Sequence, residues 1–151
     1  MLELARSEDF EAVNALASQI HRMHVAWRPD IFRMADPLYS QERFAAAIKE
    51  RQLYVAKISG IPVGYALLMQ RVYDLPSHMP RRVMVIDEFG VDELVRNRGI
   101  GSQMMMEIRV LARAFGCTDL QLGVYPQNDA AVSFYQKCGF MIRSIDMQCK
   151  V

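Results

Sequence analysis

Apolar residues recur along the chain in two rhythms. Val13, Leu16, Ala17 and Ile20 fall three and four apart, the spacing of one face of an α-helix. Ser7 precedes this stripe, with Glu8, Asp9 and Glu11 close behind. Ser7 is therefore expected to cap a helix of about four turns whose first turn holds the acids that a helix N-terminus favours. Arg28-Pro29-Asp30 and Asp36-Pro37 interrupt the pattern, and Ser40 opens a second helix through Phe44, Ala47 and Ile48.

The rhythm then shortens. Leu53–Ile58 is apolar and β-prone, Ser59-Gly60 makes a turn, and Ile61–Val72 returns as a strand. Tyr73–Pro80, with Pro76, Ser77 and Pro80, reads as an exposed loop before the strand Arg82–Val91. Gly101–Phe115 is a long helix stopped by Gly116, Asp119–Tyr125 a strand, and Asn128–Cys138 a helix. Met141–Cys149, with Ile142, Ile145 and Met147, reads as a closing strand, and Leu2–Ala5 as a short extended start. Early hairpins imply antiparallel pairing, whereas the later strand–helix–strand units imply a right-handed parallel crossover. The expected fold is α/β: a mixed, twisted sheet with helices on both faces. No linker divides residues 1–151, which read as one domain.

Composition narrows the chemistry. At 52% hydrophobic and 23% charged residues the chain is globular rather than disordered. Eighteen Lys and Arg against seventeen Asp and Glu leave +1, so no general field draws a polyanion. Nucleic acid is not an expected partner, and any anion site must be local. Cys117, Cys138 and Cys149 have no CxxC spacing, which points to neither a disulfide framework nor zinc. His21 and His24 lack a third ligand of matching chemistry, so no metal is expected; they read as surface or cleft residues. Charges near the N-terminus and the lack of any apolar run of about 18 residues argue against a leader or a membrane partner. The expected location is the cytoplasm.

One turn concentrates charge in a chain with none to spare. Arg96-Asn97-Arg98-Gly99-Ile100-Gly101-Ser102 joins a strand to a helix. Glycines there let the backbone take positive φ and let a ligand approach its amides. The first N–H groups of the helix have no partner within it, and the helix dipole favours an anion at that end. This is a phosphate cradle built from main chain. It is no P-loop, since Gly101-Ser102-Gln103 lacks the lysine, and no dinucleotide fingerprint, since Met104 stands where a small residue is needed. Further on, Asn128 can cap a helix that carries Ala131, Phe134 and Tyr135 and ends at Gly139-Phe140. Taken alone, that helix is ordinary core.

Together the two segments, R-x-x-G-x-G and then N-x-x-A-x-x-F-Y-x-x-x-G-F, resemble the GNAT superfamily of acyl-CoA-dependent N-acyltransferases. Phe89-Gly90-Val91, Ala5-Arg6-Ser7-Glu8-Asp9 and the Gly60…Val63-Gly64-Tyr65 hairpin are similar to other elements of that family. The resemblance implies a splayed sheet in which the pantetheine arm of acetyl-CoA lies along main-chain groups of Phe89, Gly90 and Val91, with a local bulge at Gly90. It implies pyrophosphate on the amides of Asn97, Arg98, Gly99, Ile100, Gly101 and Ser102, with Arg96 nearby and Asn128 and Ala131 opposite. It implies direct attack of a primary amine on the thioester, with the Val91 N–H at the oxyanion and Tyr135 as general acid. The general base is expected at Asp87 or Glu88, which strict strand alternation places on opposite faces. A small-molecule or peptide amine is the implied acceptor, and a homodimer formed through the C-terminal strand is the implied assembly. The alternative is a non-catalytic acyl-CoA sensor of the same fold.

Overall fold

A computed structural model describes residues 1–151. Five strands, β1 (Leu2–Leu4), β2 (Leu53–Ile58), β3 (Ile61–Tyr73), β4 (Arg81–Val91) and β5 (Asp119–Leu122), lie side by side in chain order. The first four pair antiparallel, and β4 and β5 pair parallel. Helices α1 (Phe10–Trp27) and α2 (Gln41–Lys49) cover one face; α3 (Ile100–Ala114) and α4 (Asp129–Lys137) cover the other. Two cores follow from the alternation of β3. Tyr65 and Leu67 pack with Leu53, Val55, Phe44 and Leu16, while Ala66 and Leu68 pack with Met84, Ile86, Met105 and Ile108.

Local chemistry explains most of the boundaries. Ser59 and Gly60, both at positive φ, form the tight hairpin between β2 and β3. Ser40 caps α2 by accepting a hydrogen bond from the Arg43 amide at 3.1 Å. Gly116 and Gly139, at φ 72° and 88°, close α3 and α4. At the N-terminus the expectation is corrected. Ser7–Asp9 is a 3-10 turn in which the Asp9 carboxylate accepts from the Arg6 amide at 2.8 Å, and α1 begins at Phe10. With no proline before Pro29, α1 runs 18 residues and takes in both His21 and His24.

The expected closing strand is absent. Residues 141–149 adopt no regular structure, and Met141, Ile145 and Met147 are exposed. A strand needs a partner for its N–H and C=O groups, and here nothing pairs with β5 on the side away from β4.

The irregularity that matters most lies in β4. Leu68 pairs with Ile86 but Leu67 pairs with Glu88, so Asp87 is an extra, bulged residue. The bulge is at Asp87 and not at Gly90, which stays in register opposite Tyr65. Gly90 is needed for a different reason: a Cβ there would lie 2.9 Å from the Tyr65 ring and 3.2 Å from Ile20. The bulge also breaks the strict alternation on which the expected opposition of the two acids rests. It turns Glu88 onto the α1/α2 face, where its carboxylate accepts from Tyr39 Oη at 2.8 Å, Tyr65 Oη at 3.0 Å and Arg43 Nη2 at 3.1 Å.

Burial, and then the Glu88 charge, hold the Tyr39 and Tyr65 phenols protonated far into the alkaline range; burial alone raises Tyr54. A folded-state pKa above the unfolded value gives stability that is complete below pH ~10 and is lost as pH rises further. Absorbance of phenolate at pH 11 is therefore expected to be lower in the native protein than in the unfolded chain, because Tyr39, Tyr54, Tyr65 and Tyr135 all hold their protons longer when folded. Unfolding should release all four together.

Candidate active site

The site begins where two strands part. Parallel pairing of β4 and β5 ends at Ile86 and Leu122, yet β4 continues to Val91 with only β3 beside it. Asp87–Val91 form one lip of a gap, and the chain after β5 (Gly123, Val124 and Tyr125) forms the other. The expected Asp119–Tyr125 strand is shorter for this reason: its last three residues have left the sheet.

The cradle closes one end of the gap. Asn97 and Gly99 sit at φ 62° and 81°, and Gly99 is the N-cap of α3. The first bond of that helix runs from the Gln103 amide to the Gly99 carbonyl at 3.0 Å, so the amides of Ile100, Gly101 and Ser102 have no partner within the helix. The two arginines differ. Arg96 Nε donates to the Val91 carbonyl at 2.9 Å, bracing the end of β4, whereas Arg98 is exposed. Gly101 has a packing role as well: a Cβ there would come 3.3 Å from the Phe134 ring.

Across the gap, Asn128 Oδ1 accepts from the Ala131 amide at 3.2 Å and caps α4. This helix lays Phe134 against Phe89 with ring centroids 5.8 Å apart, and Tyr135 against Phe89, Phe134 and Phe140 at 6.2, 5.3 and 5.7 Å. Burial in that aromatic nest, assisted by the neighbouring Cys138, pushes the Tyr135 phenol up to about 12. Arg109 ties α3 to the end of α4 by donating to the Cys138 carbonyl.

The two acids separate in character. Glu88 accepts from three donors, and Asp87 is exposed with neither ion pair nor hydrogen bond. Of the methionines that open α3, Met104 and Met105 are core and Met106 faces out. The sequence places His24 at the surface or in a cleft, and the structure sets it in an aromatic cluster over the gap. His24 of α1 stacks on Phe32 at 5.3 Å and meets Tyr125 at 5.7 Å and Trp27 at 5.8 Å. Its members come from α1, the following loop and the chain after β5, so no local spacing connects them.

The model of the Acetyltransferase (GNAT) family matches residues 17–140. The chain is 26% identical over 117 residues to the uncharacterized N-acetyltransferase YvbK of Bacillus subtilis (strain 168), covering 78% of this chain and 69% of that one. The crystal structure of a mutant (F44R) of the BH1408 protein from Bacillus halodurans superposes with a TM-score of 0.91 at 29% identity, over 100% of this chain and 99% of that one. The aminoglycoside N-acetyltransferase AAC(6')-Iy, solved in complex with CoA, shares the fold with a TM-score of 0.72 at 16% identity, over 100% of this chain and 93% of that one. A split sheet, a bare helix N-terminus beside it and a family model spanning both place the chain in the GNAT family of acetyltransferases, whose fold binds acetyl-CoA.

Proposed function

We propose that the protein moves an acetyl group from acetyl-CoA to a primary amine by direct attack. The observation that carries this reading is the gap between β4 and β5, with the unpaired α3 amides at one end and Tyr135 packed beneath its β4 lip. The pantetheine arm lies along the main chain of Phe89, Gly90 and Val91. The pyrophosphate rests on the amides from Asn97 to Ser102, with Arg98 adding charge and Asn128 and Ala131 on the far side. Arg96, committed to the Val91 carbonyl, holds the strand end in place for the cofactor.

In this reading the amine attacks the thioester carbon, and the Val91 N–H stabilises the oxyanion that forms. The C–S bond then breaks, and CoA leaves as a thiolate. A thiol ionises near 8.5, well below a phenol held near 12, so Tyr135 stays protonated until the sulfur needs its proton. Asp87, exposed and unpaired, draws the cationic acceptor to the mouth of the gap. A non-catalytic sensor would use the same cradle. Amines and peptides screened with acetyl-CoA for release of free thiol test the reading, and silence across the panel with CoA still bound would favour the sensor. The unpaired 141–151 segment, alternately apolar, supports a homodimer in which it adds to the free edge of β5 in a second copy.

Three outcomes are expected. Ser102→Glu places a carboxylate in the first turn of α3, which stabilises the free protein by about 0.3–1 kcal/mol. The same charge repels pyrophosphate and weakens CoA binding by about tenfold or more; calorimetry showing unchanged affinity would place the phosphates elsewhere. Tyr135→Phe lowers kcat by roughly 10²–10⁴ while the dissociation constant of CoA stays within about twofold. Light scattering gives twice the chain mass for the full protein and the single-chain mass after truncation at Phe140.

A further inference from the structure

We propose that His24 is the general base, accepting the ammonium proton of the acceptor before attack. This rests on the acetyltransferase reading above and names the group that reading lacks. The geometry starts from α1. Gln19 Nε2 donates to Asp92 Oδ1 at 3.3 Å, and Ile20 lies against Gly90. His24 is one turn beyond Ile20 on the same helix stripe, so it hangs over the gap on the α1/α2 side. Its ring is 5.7 Å from that of Tyr125 on the opposite lip. The imidazole therefore lies against the β5 lip on the α1/α2 side, the face opposite Tyr135.

Its bonding leaves it free for the task. His21 Nε2 is engaged by the Arg33 carbonyl at 2.8 Å and His78 Nδ1 by the Ser77 hydroxyl at 2.9 Å, whereas no protein group hydrogen-bonds the nitrogens of His24. The Arg28–Phe32 turn, closed by bonds from the Ile31 and Phe32 amides to the Arg28 carbonyl, folds Phe32 back onto the ring and holds it. Of the two acids expected at this position, Glu88 already accepts three hydrogen bonds, two of them from buried tyrosines, and Asp87 is the exposed, bulged residue of β4.

The groups that set the charge of His24 are few. Burial lowers its pKa first and His21 on the same helix lowers it further, while Glu88 on β4 pulls the other way. Tyr125 and Phe32 face it as neutral rings, and the Arg28 cation beyond is paired with Asp30 at 2.8 Å. At neutral pH the ring is therefore uncharged and able to accept. The proton balance is complete. R–NH₃⁺ gives one proton to His24, which passes it to solvent. The neutral amine forms the C–N bond, the C–S bond breaks, and Tyr135 protonates the thiolate and recovers the second nitrogen proton through water.

The test compares wild type with His24→Gln, using acetyl-CoA and the best amine from the screen, across pH 5.5 to 9.5. Wild-type kcat/KM is expected to fall on the acid side as His24 protonates below its ordinary value of 6.5. In His24→Gln, kcat at pH 7 drops by roughly 10²–10⁴, the acid limb is lost and CoA affinity is kept. Activity within about threefold of wild type with an unchanged profile would overturn the proposal. If His24→Gln fails to fold, His24→Asn and an NMR titration of His24 in the wild type replace it. A histidine that titrates at or above its ordinary value would then count against the role. Wild type releasing no thiol with any amine would sink the acetyltransferase reading, a failure distinct from loss confined to the variant.

Discussion

A carboxylate turned into a protein interior must be surrounded by donors, and the placement of Glu88 governs much of this molecule. Removing a charged carboxylate from water costs several kcal/mol unless hydrogen bonds replace the lost hydration. Here the replacements come from Tyr39 before α2, Arg43 within α2 and Tyr65 on the adjacent strand. The single interaction therefore anchors the start of α2 to the sheet and turns Glu88 by way of the Asp87 bulge. It also sits at the level where β4 and β5 stop pairing. A bulge increases local twist and bends its strand. A strand bent at that point leaves its parallel neighbour, and the gap that results is the candidate site.

The rest of the site is mostly main chain. CoA is strongly anionic, yet the chain carries a net charge of only +1. Unpaired amides at a helix start and a glycine at φ 81° provide partial positive charge without any surplus of lysine. Such a cradle selects by geometry, since each amide has one direction, and it adds no general affinity for polyanions. Gly101 joins this cradle to the aromatic nest of α4: a Cβ there would come 3.3 Å from the Phe134 ring, so glycine lets α3 lie close to it without displacing the ring.

The two faces of the sheet divide the proposed work. In the proposed reaction the α3/α4 face holds the phosphates and Tyr135, which is set in an aromatic nest that raises its pKa. The α1/α2 face carries the histidine, Glu88 and the aromatic cluster. The proposed acid and the proposed base thus lie on opposite sides of one gap, with opposite pKa shifts produced by the same cause. Burial disfavours the charged form, which raises a phenol and lowers an imidazole.

Order and type of the elements were legible in the chain itself, because periodicity, caps and glycine stops are local. The Ser59-Gly60 hairpin, the Ser40 cap, and the glycine stops at Gly116 and Gly139 all lie where residue chemistry puts them. So does the cradle, since its amides belong to consecutive residues. What depends on partners distant in sequence was not legible. Alternation cannot announce a bulge, so the side on which Glu88 lies was decided only by its donors on Tyr39, Tyr65 and Arg43. The apolar alternation of residues 141–149 marks a strand, but a strand exists only where another edge accepts its hydrogen bonds. The meeting of His24, Phe32 and Tyr125 joins residues a hundred positions apart by sheet order alone. Local propensity determined the elements and the cradle; long-range packing decided which side chains look into the gap.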